Sequence, residues 1–279
     1  MNLIDLQEKL RELNIQKGDI LYVASDITKV LVEAGRGKSL KNKEDRDVFL
    51  RHLTDSFQSA VGAEGTLLFP VFTWDFCRKK PFSRKNTPGE VGAYNNWILK
   101  ELKDFVRTRH PLYSFMVWGK YADELTRLQN EEAFGVDSPF AWLHKNKGKM
   151  LLVSVSLQRA FTFMHYVEAS LRVPYRYLKN FRSEYEDYDG TVEMRNYTMY
   201  VRDLDIISHE YMPDEFLEKP QVMRSVFWQN IPLKVIDLDK SYKIFADDLK
   251  NNGGKNCYKF ENYQIDWLKG ATHKDDLNN

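Results

Sequence analysis

Four short apolar runs, separated by segments with helical periodicity, do most to limit what this chain can fold into. Ile20-Leu21-Tyr22-Val23 follows the turn Lys17-Gly18-Asp19, and a second run over residues 66–72 opens at Gly65. A third covers residues 114–118. The fourth and most apolar, residues 150–155, leaves the turn Lys147-Gly148-Lys149. Runs of this length that are bounded by turns read as strands buried on both faces. Between them, residues 3–13, 43–61 and 162–171 repeat their apolar positions at helical spacing, and Gly62 is placed to end the second of these helices. Asp137-Ser138-Pro139 reads as the cap of a helix reaching His144, and Thr87-Pro88-Gly89-Glu90 as the start of one running to Leu102. In the latter, Thr would cap, Pro suits the first turn, and Glu lies three residues on. Alternation of this kind predicts an α/β fold, a layered α/β/α domain around a mixed central sheet.

The C-terminal third departs from the alternation. Residues 184–202 form two Tyr-rich segments around Asp189-Gly190, a hairpin signal. Two helical stretches and a strand over residues 233–238 follow. This predicts a smaller C-terminal α+β portion, with a boundary near Asn180 that divides the chain into residues 1–180 and 181–279. Residues 273–279 have the composition of a disordered end. A chain of 279 residues, 43% hydrophobic and 14% aromatic, can bury a large core. Its 41 basic and 40 acidic residues leave a formal charge of +1, so no overall field favours nucleic acid or a membrane surface. Cys77 and Cys257 lie far apart and form no metal spacing, which fits a reducing compartment. The amphipathic start and the lack of a long apolar run predict a soluble, cytoplasmic protein.

Chemistry concentrates in Phe161-Thr162-Phe163-Met164-His165-Tyr166-Val167-Glu168. On a helix, Thr162, His165 and Glu168 follow one another at i,i+3 spacing and share a face. A carboxylate beside an imidazole fixes its tautomer and raises its basicity. Spacing alone leaves two readings open, a general base or a half-buried histidine satisfied by its neighbours. The small polar residues Ser25 and Asp26 directly after the first strand either line a ligand site or cap the next helix. His110, in Arg107-Thr108-Arg109-His110-Pro111, could border an anion pocket or pack at a turn. His52, His144, His209 and His273 show no carboxylate or hydroxyl partner in the sequence. The basic residues Lys79, Lys80, Arg84, Lys85, Arg107 and Arg109 read either as solvated loops or as phosphate contacts. No phosphate-binding loop, dinucleotide fingerprint, zinc-binding helix motif or nucleophile elbow is present.

Together, the ordered segments resemble the antibiotic N-acetyltransferases typified by the aminoglycoside 3-N-acetyltransferases. The likeness runs from about Leu6 to Phe181. It includes Gly18-Asp19-Ile20-Leu21-Tyr22-Val23, Gly62-Ala63-Glu64-Gly65-Thr66-Leu67, Thr87-Pro88-Gly89, Arg109-His110-Pro111, Asp137-Ser138-Pro139-Phe140, Gly148-Lys149-Met150-Leu151-Leu152, the Thr162 to Glu168 segment and Pro174-Tyr175-Arg176. The resemblance implies an acyl-coenzyme A as co-substrate, an amine as acceptor and no metal. It implies His165 as catalytic base with Glu168 steadying it, and residues 1–180 as the acyl-CoA-binding catalytic domain on which residues 181–279 pack and help bind the acceptor. Ser25, Asp26, Thr73, Arg107 and His110 are then expected at the coenzyme, and Thr162 and Asp137 at the acceptor. Backbone N–H groups near Ser25 or Thr73 are candidates for the oxyanion hole, and a homodimer is implied by family analogy. Many antibiotic enzymes of this family carry a histidine after the first strand, where this chain has Ala24. That departure is similar to relatives acting on nucleotide-linked amino sugars, dTDP sugars above all, for surface polysaccharides. The near-neutral charge agrees, since a polycationic aminoglycoside calls for strong negative potential. An aminoglycoside enzyme and a non-catalytic binding member of the family are the alternatives.

Overall fold

The computed structural model describes residues 3–35, 40 and 42–270. In chain order the elements are α1 (Leu3–Glu12), β1 (Ile20–Ser25), α2 (Ile27–Gly35), α3 (Lys43–Val61), β2 (Thr66–Pro70), β3 (Phe82–Ser83), α4 (Ala93–Glu101), β4 (Val106–Arg107), β5 (Phe115–Gly119), α5 (Ala122–Arg127) and α6 (Pro139–Lys145). They continue with β6 (Lys149–Val153), α7 (Leu157–Ala160), α8 (Phe163–Leu171), β7 (Arg176–Glu186), β8 (Val192–Arg202), β9 (Ser208–Glu210), α9 (Glu215–Glu218), β10 (Met223–Trp228), β11 (Ile231–Asp237), α10 (Leu238–Asn251) and β12 (Tyr258–Phe260).

A seven-stranded mixed sheet runs in the order β10-β11-β6-β1-β2-β5-β4. β1 pairs in parallel with β6 and β2, and the outer pairings are antiparallel. Because side chains alternate along a strand, the apolar runs supply two cores at once. Tyr22, Leu68, Phe115, Val117, Met150 and Leu152 face one side, under α6, α8 and α10. Leu21, Val23, Leu67, Phe69, Leu151 and Val153 face the other, under α1, α2, α3 and α4. Each fully buried side chain of this size contributes roughly 1.5–3 kcal/mol, so the two layers dominate the stability of the fold. The layered architecture expected from the sequence is the one observed.

Local chemistry explains most boundaries. Asn42 caps α3 by accepting from the Asp45 N–H, and Gly62 closes it at φ +69°. Ser138, not Asp137, caps α6. Gly119 turns the chain at φ +106° where an added Cβ would lie 2.2 Å from the Gly65 carbonyl oxygen. The helix expected from Thr87 begins only at Ala93, with Gly92 at φ +76° as its first boundary. Both would-be capping residues have other partners: Thr87 Oγ1 accepts from the Ser83 N–H, and Glu90 from the Trp74 N–H. Arg84, which reads from the sequence as a solvated loop charge or a phosphate contact, is buried. It donates to the Arg107 and Thr126 carbonyls and to Asp187.

The hairpin around Asp189-Gly190 is real and longer than expected, with β7 and β8 of 11 residues each. Residue 180 lies within β7, and the strand read at 233–238 belongs to the β10–β11 pair, which extends the central sheet beside β6. The expectation for residues 273–279 lies outside the described residues. Among the described residues no helix is long and apolar enough to cross a membrane.

Candidate active site

The central strand β1 is flanked on both sides by parallel neighbours, β2 and β6, and its outgoing connection through α2 and α3 leads to β2. The C-terminal end of such a strand is where open α/β sheets leave a crevice for ligands. Two groups of residues meet there, one on α8 and one around a cleft.

Helix α8 packs against α10 and α6, which also touch each other. Phe163, Met164 and Val167 enter the core, and so does the carboxylate of Glu168, which is wholly buried. A charge in that position needs partners. Glu168 Oε2 lies 2.9 Å from His165 Nδ1 and 2.9 Å from Arg176 Nε, while Oε1 accepts from the Tyr258 hydroxyl at 2.7 Å. Burial by itself would raise the Glu168 pKa. The Arg176 guanidinium and His165 outweigh it and hold the carboxyl at about 2. Conversely, burial opposes the charge on Arg176, and Glu168 more than offsets it, so the guanidinium stays charged.

His165 is the exposed member of the group, its side chain 25% accessible against 0% for Glu168. The Phe134 ring meets its edge at a centroid distance of 5.8 Å. Arg176 Nη2 lies 3.1 Å from His165 Nδ1 and 3.7 Å from the half-exposed Glu210. With Glu168 ionised, the tautomer that donates from Nδ1–H to Oε2 leaves Nε2 with a lone pair. Arg176, Tyr258 and Glu210 were not singled out by sequence reasoning. Arg176 stands in a segment that carried the family likeness, and only its burial reveals a role; Tyr258 lies 90 residues from Glu168, with no local signal.

A cleft of about 370 Å³ opens beside this group, lined on the β1 side by Tyr22, Ala24, Ser25, Asp26 and Thr28. Phe72, Glu90 and the start of α4 form a second wall, and Arg159, Ala160 and Thr162 a third. Ser25 Oγ and Asn95 Oδ1 on this lining are buried without a hydrogen-bond partner among the described residues. Buried polar atoms are rarely left so unless something else meets them. Thr162 joins the two groups: it lines the cleft, and its carbonyl accepts from the His165 N–H at 3.0 Å. His165 itself lies outside the lining.

The remaining sequence candidates divide. Ser25 and Asp26 line the cleft together with Thr162. Thr73 is buried just behind it; its hydroxyl donates to Glu90, and its N–H donates to the Leu112 carbonyl, which removes that N–H from the oxyanion candidates. Arg107 and His110 are fully buried and outside the lining. Arg107 donates to Ser114 Oγ and to the Thr87 and Val71 carbonyls, and burial lowers its pKa to about 9. His110 Nδ1 accepts from the Leu112 and Tyr113 N–H groups, and burial lowers its pKa to about 3, so it is a neutral turn residue. Asp137 is exposed on the loop that carries Phe134. His144, for which the sequence offered no partner, meets the Tyr166 hydroxyl at 3.0 Å and Asp239 at 3.4 Å. His209 pairs with Glu261 at 2.9 Å.

Residues 39–249 match the family model described as aminoglycoside 3-N-acetyltransferase. Solved structures agree in fold. Aminoglycoside acetyltransferase AAC(3)-Xa superposes with a TM-score of 0.70 at 16% identity, covering 88% of this chain and 91% of its own. The AAC-IIIb binary structure with CoASH also gives 0.70 at 16% identity, with 90% and 97% covered. The YokD protein from Bacillus subtilis gives 0.70 at 19% identity, with 91% and 95% covered.

Proposed function

This chain belongs to the aminoglycoside 3-N-acetyltransferase family, which makes it an N-acyltransferase, and from that premise we propose that it moves an acyl group from an acyl-coenzyme A to the amino group of a nucleotide-linked amino sugar. The observation that carries the chemistry is the half-exposed His165, braced by a buried Glu168 that Arg176 and Tyr258 hold ionised. An amine attacks only through its free lone pair, so a proton must leave it. His165 Nε2 takes that proton while Nδ1–H stays on Glu168, which stabilises the imidazolium as it forms. Arg176 and Tyr258 act through Glu168 and are positioning residues.

The coenzyme supplies the acyl group as a thioester. The cleft suits its pantetheine arm: its lining is partly apolar, and Ser25 Oγ and Asn95 Oδ1 on its wall have no hydrogen-bond partner among the described residues. Thr162 sets the end of that cleft against the turn that carries His165. No nucleophilic side chain is required, so the acyl group passes directly to the amine.

The acceptor class rests on charge. A formal charge of +1 favours a diphosphate-bearing sugar over a polycation. Ala24 on the cleft wall agrees, as it departs from the antibiotic enzymes. A solved relative with sisomicin bound favours the second reading, in which the acceptor is an aminoglycoside. Thiol release from acetyl-CoA with a dTDP-amino sugar and with an aminoglycoside separates the two. Preference for the dTDP sugar supports the proposal, and turnover of the aminoglycoside alone overturns it.

A further inference from the structure

Among the described residues that line the cleft, Arg159 is the only cation. It stands on α7, exposed, and no carboxylate is paired with it among the described residues. The two acids on the lining are already engaged. Asp26 faces Lys29 at 3.8 Å, and Glu90 accepts from the Trp74 N–H and from Arg78. Among the described residues, the wall formed by α7 is therefore the part of this cleft that offers an uncommitted positive charge.

Two further features set the direction in which a ligand lies. The N-terminal ends of α2 and α4, each of nine residues, reach the cleft. Gly92 ahead of α4 gives its first turn no side-chain cap. Peptide N–H groups and the helix dipole there suit carbonyl oxygens, and the buried Asn95 Oδ1 offers an acceptor to an amide N–H beside them. An arm with alternating amides fits these walls, and a cleft of about 370 Å³ leaves no room for a nucleotide as well. The nucleotide end must then emerge at the rim.

Resting on the reading that this cleft takes the acyl-CoA arm, we propose that Arg159 is the rim residue that grips a phosphate of the coenzyme. A guanidinium is suited to this because it binds phosphate oxygens through paired N–H groups. Its partner is the diphosphate or the ribose 3′-phosphate, which both present anionic phosphate oxygens. Arg159 contributes to affinity for the donor and takes no part in proton transfer.

Isothermal titration of CoA, dephospho-CoA and pantetheine, the last by competition against CoA, tests this on wild-type, Arg159→Gln, Arg159→Lys and Ala93→Trp proteins. Arg159→Gln is expected to weaken CoA about tenfold, to leave pantetheine unchanged, and to be largely rescued in Arg159→Lys. Dephospho-CoA keeps the tenfold sensitivity if the diphosphate is held and loses it if the 3′-phosphate is. Unchanged CoA affinity in Arg159→Gln overturns the assignment, and so does an equal loss for pantetheine. Ala93→Trp fills the cleft at the start of α4. If it leaves both CoA and pantetheine binding intact, the donor does not occupy this cleft, and the reading beneath the proposal fails.

Discussion

Replacing Glu168 by glutamine removes the nearest negative charge to a buried guanidinium, 2.9 Å away, while keeping the side-chain volume. The carboxyl has an ordinary pKa of 4.5 and is held at about 2 in the fold, because Arg176 and His165 outweigh the cost of its burial. A group shifted downward by that amount contributes about 3 kcal/mol to the folded state at neutral pH. Breaking a buried ion pair from one side costs a similar ~3–5 kcal/mol. The pH dependence has a definite sign. The contribution is complete above the unfolded value of 4.5 and is lost as pH falls through the folded value of about 2. Urea unfolding of wild type and Glu168→Gln should therefore differ by about 3 kcal/mol at neutral pH and converge in acid. The double variant Glu168→Leu with Arg176→Met should be less destabilised than Glu168→Gln, since no charge is then left unpaired. A difference below about 1 kcal/mol at neutral pH, or one that persists undiminished near pH 2, would refute this account of the buried pair.

Two further substitutions test the frame around the site. Arg107→Lys cannot reproduce donation to Ser114 Oγ and to the Thr87 and Val71 carbonyls at once, so it should lower stability by about 2–3 kcal/mol in thermal unfolding. The same variant should keep its Kd for acyl-CoA, because Arg107 lies outside the cleft lining. Gly119→Ala places a Cβ 2.2 Å from the Gly65 carbonyl at a backbone φ of +106°. It should cost upward of about 2 kcal/mol, read as a drop in the urea midpoint with an unchanged slope.

The central sheet was legible in the sequence because each of its inner strands is a short apolar run between turns, and such a run can only be buried on both faces. β1, β2, β5 and β6 were each located within a few residues. The start of α4 was misjudged for a physical reason. Thr87 and Glu90 carry the pattern of a capping box, yet tertiary partners, the Ser83 and Trp74 N–H groups, take both side chains. Arg84 and Arg107 looked like loop charges because sequence cannot show that distant backbone carbonyls converge on a guanidinium. The His165 and Glu168 pair was visible as an i,i+3 spacing on a helix. Its surroundings were not, since Arg176 arrives from β7 and Tyr258 from β12. His110 kept two readings, an anion pocket or a turn, because the sequence carries no local sign of its burial.

The most direct test of the account is the pH dependence of acyl transfer in His165→Asn. With a dTDP-amino sugar as acceptor, kcat should fall by about 10²–10⁴ across the neutral range, as expected when a general base is removed. The Kd for CoA should stay within about twofold, because His165 lies outside the cleft lining. Near-normal turnover in His165→Asn across that range would contradict the assignment of His165 as the base.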